Sequence, residues 1–333
     1  MNNAFVCLTV DLERDLGAIP PKYRGIDIAL PILLDIFQEQ GIKISWLLSS
    51  KLIEDRGNAL KDCSKNQHEI ACHGYKHELY LPSLRLPVAE YEKIGFKLKD
   101  DEMDLQLFHG FNPLPFENRE TAFNIIEKST SQIEKFFGKR PTSFKMPYTT
   151  IDWEVLKYLD TLKYQVDVSI PNWKYWDWRP PYHPYINKMT TEKGKPLKLE
   201  LEEEKESLRV LEIPMSCDPR PEISNNMMVI HRTFSMLSCR TLGIKRVETI
   251  LDRVVKRTPS HIPIIFAFKS SIWEFTEMQK VGLYELEQNI GQGAVGLMKQ
   301  LIDLLNTKYD PSFFTLTELA SFWEKNHCPS HSA

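Results

Sequence analysis

At 333 residues, 42% hydrophobic and 11% aromatic, the chain is long enough to bury a large core, as one large α/β domain or two smaller ones. A formal net charge of -3 supplies no polybasic footprint, which removes nucleic acid from the expected partners.

In chain order, residues 4–10 form a short apolar run rich in strand formers, fitting a buried parallel strand. It runs into Asp11-Leu12-Glu13. Carboxylates just past the C-terminal end of a first strand stand where α/β barrels and open sheets place their chemistry, although a helix N-terminal turn enriched in acids reads equally well. Ile28, Leu33, Leu34 and Phe37 make a helical stripe over 25–40 that stops at Gly41. A strand over 42–48, a helix over 49–65 and a third short strand over 68–71 come next. Residues 81–116, punctuated by Pro82, Pro87, Pro113 and Pro115, read as a loop-rich excursion, with His109 a loop residue.

Regular pattern returns with a helix over 118–137 ended by Gly138, a strand over 141–145, a helix over 151–161 and a strand over 164–169. Later come strands over 208–215 and 262–268, helices over 241–257 and 293–308, and a strand-like piece and helix over 313–323. About seven βα repeats without a linker between halves indicate one barrel-like domain spanning 1–333, with a Pro- and aromatic-rich loop insertion at about 171–207.

Two places carry chemistry. In His68-Glu69-Ile70-Ala71-Cys72-His73-Gly74-Tyr75-Lys76-His77, the four-residue step from His73 to His77 would put both imidazoles on one side of a helical turn. Two such histidines suit Zn²⁺ or a similar divalent ion, and the third ligand should be a carboxylate on another element. The segment 171–189 holds Trp173, Tyr175, Trp176, Trp178, Tyr182 and Tyr185 among prolines. Its rings either stack on sugar faces or pin a loop onto the body.

Taken together, Thr9-Val10-Asp11-Leu12-Glu13, the His68–His77 run, Phe144-Lys145-Met146-Pro147-Tyr148 and the strand leading to Asp167 resemble the polysaccharide deacetylase family (carbohydrate esterase family 4). The likeness runs from residue 5 to about 325 and is closest to the branch containing peptidoglycan deacetylase-like and allantoinase-like proteins. The resemblance implies a distorted (β/α)7 barrel holding one divalent metal ion, zinc, on Glu13, His73 and His77. It implies Asp11 as general base, Lys145 as its partner where the family has arginine, Asp167 as the fourth-motif acid, and Pro147 with the backbone N–H of Tyr148 at the oxyanion. Lysine brings charge without the planar fork of arginine, so it would hold the base less firmly.

The family's last motif ends a strand with a histidine that acts as general acid; the matching strand here reads Ile264-Ile265-Phe266-Ala267-Phe268-Lys269-Ser270, followed by Trp273-Glu274-Phe275. Either Lys269 donates the proton, its pKa lowered by burial beside a cation, or His183 or His231 leans in, or the acid is missing. The expected activity is hydrolysis of an N-acyl group, acetyl or formyl, from an amino sugar or sugar precursor, with Trp173 and Trp176 as substrate-contacting rings. A degenerate homologue binding metal and carbohydrate, and an allantoinase-like cyclic-amide hydrolase, are the alternatives.

The six cysteines form no Cys-x-x-Cys pair and read as reduced thiols. The N-terminus lacks the basic segment and cleavage site of a signal peptide, and no stretch is apolar for the length of a membrane span. A cytoplasmic protein with a carbohydrate or small-amide substrate and no membrane span is therefore expected, and a homo-oligomer is left open.

Overall fold

The computed structural model describes residues 4–15, 22–78, 119–147, 151, 153–169, 208–218, 234–258, 260, 263–276, 280–281, 284–285 and 293–327. The excursion over 81–116 and the aromatic segment over 171–207 lie outside them.

Strand β1 (Ala4–Leu12) organises the sheet. Its parallel partner β7 (Ile264–Ser271) runs along it from Ala4↔Ile264 to Asp11↔Ser271. A strand has two edges, and the second is shared: β2 (Ser45–Leu48) takes Thr9 to Leu12, while the C-terminal strand β10 (Pro311–Phe314) takes Ala4 to Cys7. From β2 the sheet continues in parallel through β3 (Glu69–Cys72), β4 (Ser143–Phe144), β5 (Val166–Asp167) and β6 (Leu211–Glu212). Ser216, just past β6, reaches back to β7, its N–H donating to Ala267 O at 3.0 Å and its Oγ accepting from Ala267 N at 3.0 Å. The parallel strands thus curl into the distorted barrel expected. A two-stranded antiparallel ribbon, β8 (Lys280–Val281) with β9 (Tyr284–Glu285), lies off this sheet.

The α-helices among the described residues are α1 (Leu30–Glu39), α2 (Lys51–Leu60), α3 (Arg119–Phe137), α4 (Trp153–Thr161), α5 (Met236–Leu242), α6 (Ile244–Arg257), α7 (Gly293–Tyr309) and, after the last strand, α8 (Leu316–His327). Two expected helices are divided. The stripe over 25–40 opens with a π-helical turn, Gly25–Ala29, before α1. The helix expected over 241–257 begins earlier and breaks at Gly243, whose φ of +78° ends α5 in the left-handed region open to glycine.

Strand alternation separates two apolar layers. Along β1, Val6, Leu8, Val10 and Leu12 face the helices with Phe37, Trp46, Phe266 and Phe268. Cys7 faces the barrel axis with Leu47, Ala71, Val166, Leu211, Ile265 and Ala267, a floor closed by Leu316, Leu319, Ala320 and Trp323 of α8. On that inner face Thr9 and Asp11 come after Cys7, and Lys269 after Ala267. The apolar floor therefore gives way to charge at the C-terminal ends of the strands. No helix among the described residues is long and apolar enough to cross a membrane.

Candidate metal and catalytic site

Glu13, His73 and His77 come from the ends of two strands separated by β2. They converge, each offering one ligand atom, with all three atoms within 4.8 Å of one another and every residue buried. Glu13 Oε2 lies 2.9 Å from His77 Nε2. The Nδ1 of His73 meets the Lys145 carbonyl at 2.8 Å, which fixes that nitrogen as the protonated one. Its Nε2, buried and without a hydrogen-bond partner among the described residues, is left aimed at Glu13 and His77. Burial first, then the charges of Lys145 and His77, holds the His73 ring far below the usual histidine range, in the neutral form that ligates. The Glu13 carboxyl is lowered to about 2: burial opposes ionisation, but the charge and hydrogen bond of His77 overcome it. Two imidazoles and one ionised carboxylate, converging on one point, fit a divalent cation.

The histidine clip is not the helical turn its spacing suggested. β3 ends at Cys72, and the loop beyond it turns through left-handed residues, Gly74 at φ +70° and His77 at φ +63°. A Cβ on Gly74 would sit 3.3 Å from the Glu78 carboxylate and from the Pro147 ring. The first amides of α2 hold the loop, Ser50 N on Gly74 O at 3.0 Å and Lys51 N on Tyr75 O at 2.9 Å. The buried Glu78 accepts from Tyr75 N at 3.1 Å. Helix N-terminus and loop satisfy each other, and a left-handed path brings the two rings to 5.0 Å between centroids.

Beside the clip, Asp11 is almost wholly buried, its Oδ2 3.7 Å from His73 Nε2. The same oxygen takes the ammonium of Lys145, itself fully buried, and lies 3.9 Å from Lys269 Nζ. Oδ1 has no hydrogen-bond partner among the described residues. Lysine thus stands where the family pattern has arginine and grips one oxygen of Asp11. The two lysines diverge in proton affinity. Burial, reinforced by the Lys269 charge, lowers Lys145 to about 7 against the pull of Asp11. For Lys269 burial is outweighed by Asp11, Lys145, Glu274 and Glu13, and the ammonium is favoured. The lowering expected at Lys269 thus falls on Lys145, because at Lys269 the negative charges of Asp11, Glu274 and Glu13 and the hydrogen bond with Lys145 outweigh burial.

Asp167 is not brought to this cluster. Alternation along β5 sets it on the face opposite Val166 and Val168, where it accepts from Ser169 N at 3.0 Å and Ser169 Oγ at 2.7 Å, with Glu212 alongside. Ser169 Oγ in turn accepts from Met146 N at 2.8 Å, so Asp167 fixes the segment that carries Lys145 and Pro147. Pro147 is buried against Gly74. Tyr148, Trp173, Trp176, His183 and His231 lie outside the described residues.

One contact had no sequence signal. Trp273 Nε1 donates to Glu13 Oε1 at 2.9 Å across a separation of 260 residues. In one dimension Trp273-Glu274-Phe275 is merely the stretch after the last-motif strand.

The fold and the cluster at its strand ends define a deacetylase-type (β/α) barrel with a buried cluster of one carboxylate and two histidines that could hold a metal ion. Residues 25–166 match the family model "Polysaccharide deacetylase", so the resemblance read from the motifs holds over that span. No curated protein matches the chain. Among solved structures, the chain is similar to a putative polysaccharide deacetylase from Mycobacterium smegmatis, at 13% identity and TM-score 0.57, covering 96% of this chain and 90% of that one. A probable polysaccharide deacetylase from Pseudomonas aeruginosa PAO1 is similar at 10% identity and TM-score 0.58, covering 98% and 92%. PuuE allantoinase is similar at 9% identity and TM-score 0.57, with the same coverage. At these identities the likeness is one of fold.

Proposed function

We propose that the protein is a metal-dependent hydrolase that removes an N-acyl group, acetyl or formyl, from an amino sugar or sugar precursor. The observation that carries this reading is the convergence of Glu13, His73 and His77 within 4.8 Å, with the Asp11 carboxylate 3.7 Å from His73. A ligand set without a base beside it would suit a structural ion; a base at that range suits hydrolysis. Glu13, His73 and His77 would hold the ion, and a divalent ion such as zinc supplies, when bound, acidification of a water and polarisation of the acyl carbonyl.

The chain's own residues do the rest. Asp11 accepts the water proton at Oδ1, the oxygen without a hydrogen-bond partner among the described residues, while Lys145 holds Oδ2 and with it the orientation of the carboxyl group. Lys269, an ammonium at neutral pH with its Nζ 3.9 Å from Asp11 Oδ2, delivers its proton to the departing amine. Pro147 and the N–H of Tyr148 line the oxyanion side, and Trp173 and Trp176 contact the sugar. Asp167 acts through Ser169 on the Lys145 segment. One barrel domain carries these parts, with 171–207 as an insertion. The described cysteines are buried thiols free of disulfides, which favours a reducing compartment and hence soluble or lipid-linked precursors as substrates rather than finished cell wall.

The test combines metal analysis with acetate or formate release from N-acylated amino-sugar oligomers. The parent should carry about one zinc-like ion per chain, as a single three-ligand site holds. His73→Ala should lose both ion and activity. Asp11→Asn should keep the ion and lose activity by about 100-fold or more, and Lys269→Ala should lose about 10- to 100-fold. Metal binding without release of acyl group from any N-acyl sugar, and no gain from Lys269→His, would replace the hydrolase with a degenerate metal- and carbohydrate-binding homologue.

A further inference from the structure

We infer that Trp273 is a positioning residue of the metal centre, its indole N–H selecting which oxygen of Glu13 is presented to the ion. The inference rests on the reading of Glu13 as a ligand. Glu13 lies one residue beyond β1, where the ladder no longer fixes the backbone, and its side chain has rotatable bonds enough to swing or to ligate through both oxygens. Two contacts remove that freedom. Oε1 accepts from Trp273 Nε1 at 2.9 Å, and Oε2 faces His77 Nε2 at 2.9 Å. The carboxylate is thereby split into one oxygen for the protein and one for the ion. A neutral donor does this without adding positive charge beside the ligand set, which a lysine or arginine in the same place would do.

Trp273 is itself held. It sits in the 3₁₀ turn Ile272–Phe275 directly after β7 and is nearly buried. Its carbonyl accepts from Thr276 N at 3.1 Å and Thr276 Oγ1 at 2.7 Å. Arg240 clamps the same turn, donating to the carbonyls of Glu274 and Thr276 at 2.8 Å each. On the other side the turn leans on Gly25, where a Cβ would fall 2.9 Å from Ile272 Cγ2 and 3.0 Å from the Ile272 carbonyl carbon and from Trp273 N. Only glycine allows that approach. Gly25 N donates to Asp15 Oδ1 at 3.0 Å, and Asp15 Oδ2 takes Arg24 N at 3.0 Å and Arg24 Nε at 3.1 Å. Asp15 lies two residues beyond Glu13, so the circuit from Asp15 through Gly25 and Trp273 closes on Glu13.

Zinc affinity of the full-length protein, measured by competition with a chromophoric chelator, tests this together with the melting temperature of the metal-free protein. Trp273→Phe keeps a buried ring and loses the N–H. Its zinc affinity should fall about 10- to 100-fold while the metal-free melting temperature stays near that of the parent, since outer-shell donors to ligands carry effects of that size. Gly25→Ala keeps the indole and displaces its turn, and should weaken zinc in the same direction, which provides a second reading should the Phe variant fold poorly. Zinc bound as tightly by both variants as by the parent, with Glu13→Ala binding it far more weakly, overturns the inference and leaves the metal site standing. Zinc bound equally by Glu13→Ala and the parent, or by neither, overturns both.

Discussion

At the scale of single residues, the balance between burial and partner decides what each ionisable group does. Lys145 is a lysine without exposed surface, tolerable because Asp11 shares its burial. Removing one member leaves the other charge uncompensated. Lys145→Met should therefore cost about 3 kcal/mol in urea unfolding, and Asp11→Asn combined with it should recover much of that loss; strict additivity of the two would show them uncoupled. His68 is the opposite case, a buried histidine with no ionic partner among the described residues. Its Nδ1 accepts from Ile44 N at 3.3 Å, and burial lowers it to about 4. The unfolded chain takes up that proton near pH 6.5 and the folded chain only near pH 4, so the stability linked to His68 is complete above pH 6.5 and drains away as pH falls through this window. His68→Asn, whose amide oxygen can still accept from Ile44, should flatten this loss by up to about 3 kcal/mol. Unfolding midpoints at pH 7 and pH 5 check it: an unchanged difference between parent and variant sinks the assignment.

Among the elements, loops and strand ends carry more of the site than the helices do. Gly74 at φ +70° lets the histidine loop fold back under Pro147. Gly74→Ala meets both a left-handed backbone cost of about 1–2 kcal/mol and contacts at 3.3 Å, and should weaken zinc binding as well as stability, read by melting and chelator competition. At the opposite end of the barrel, Glu69 of β3 gathers Ser45 of β2 at 2.7 Å, Ser143 of β4, and both the hydroxyl and the N–H of Thr317 at the start of α8. One carboxylate thus joins three strands to the C-terminal helix. Glu69→Ala should cost about 2–4 kcal/mol in stability, by leaving several buried donors without an acceptor, while the zinc affinity of the folded fraction stays unchanged. A parallel fall in zinc affinity would mean that the two ends of the barrel are coupled.

For the whole molecule, the arrangement of β1 is the governing fact. It pairs with β7 along one edge and with β2 and β10 along the other, so the first strand joins segments from both halves of the chain. The C-terminal segment is consequently part of the core. Leu316, Leu319, Ala320 and Trp323 close the barrel floor against Cys7, Leu47, Ile265 and Ala267. A chain ending at residue 310 should lose cooperative unfolding and bind a hydrophobic dye. A sharp urea transition in that truncated chain would show that the floor is dispensable.

The sequence by itself determined what local patterning and side-chain chemistry control: the βα alternation, the acid-bearing end of β1, the histidine pair, and the lysines standing in two motif positions. Asp11, Glu13, His73, His77, Lys145 and Lys269 were legible because residue type and position at a strand end are written in one dimension. Only the tertiary structure decided that the histidine clip is a left-handed loop, since glycine at φ +70° and histidine at φ +63° look like any other residues in a four-residue step. It also decided that Asp167 faces away from Lys269 and that Trp273 meets Glu13 across 260 residues. Which lysine loses its proton more readily depends on burial and on neighbours drawn from β1, β4 and β7. Contacts of that separation are fixed by how the strands close on one another, which a local pattern does not encode.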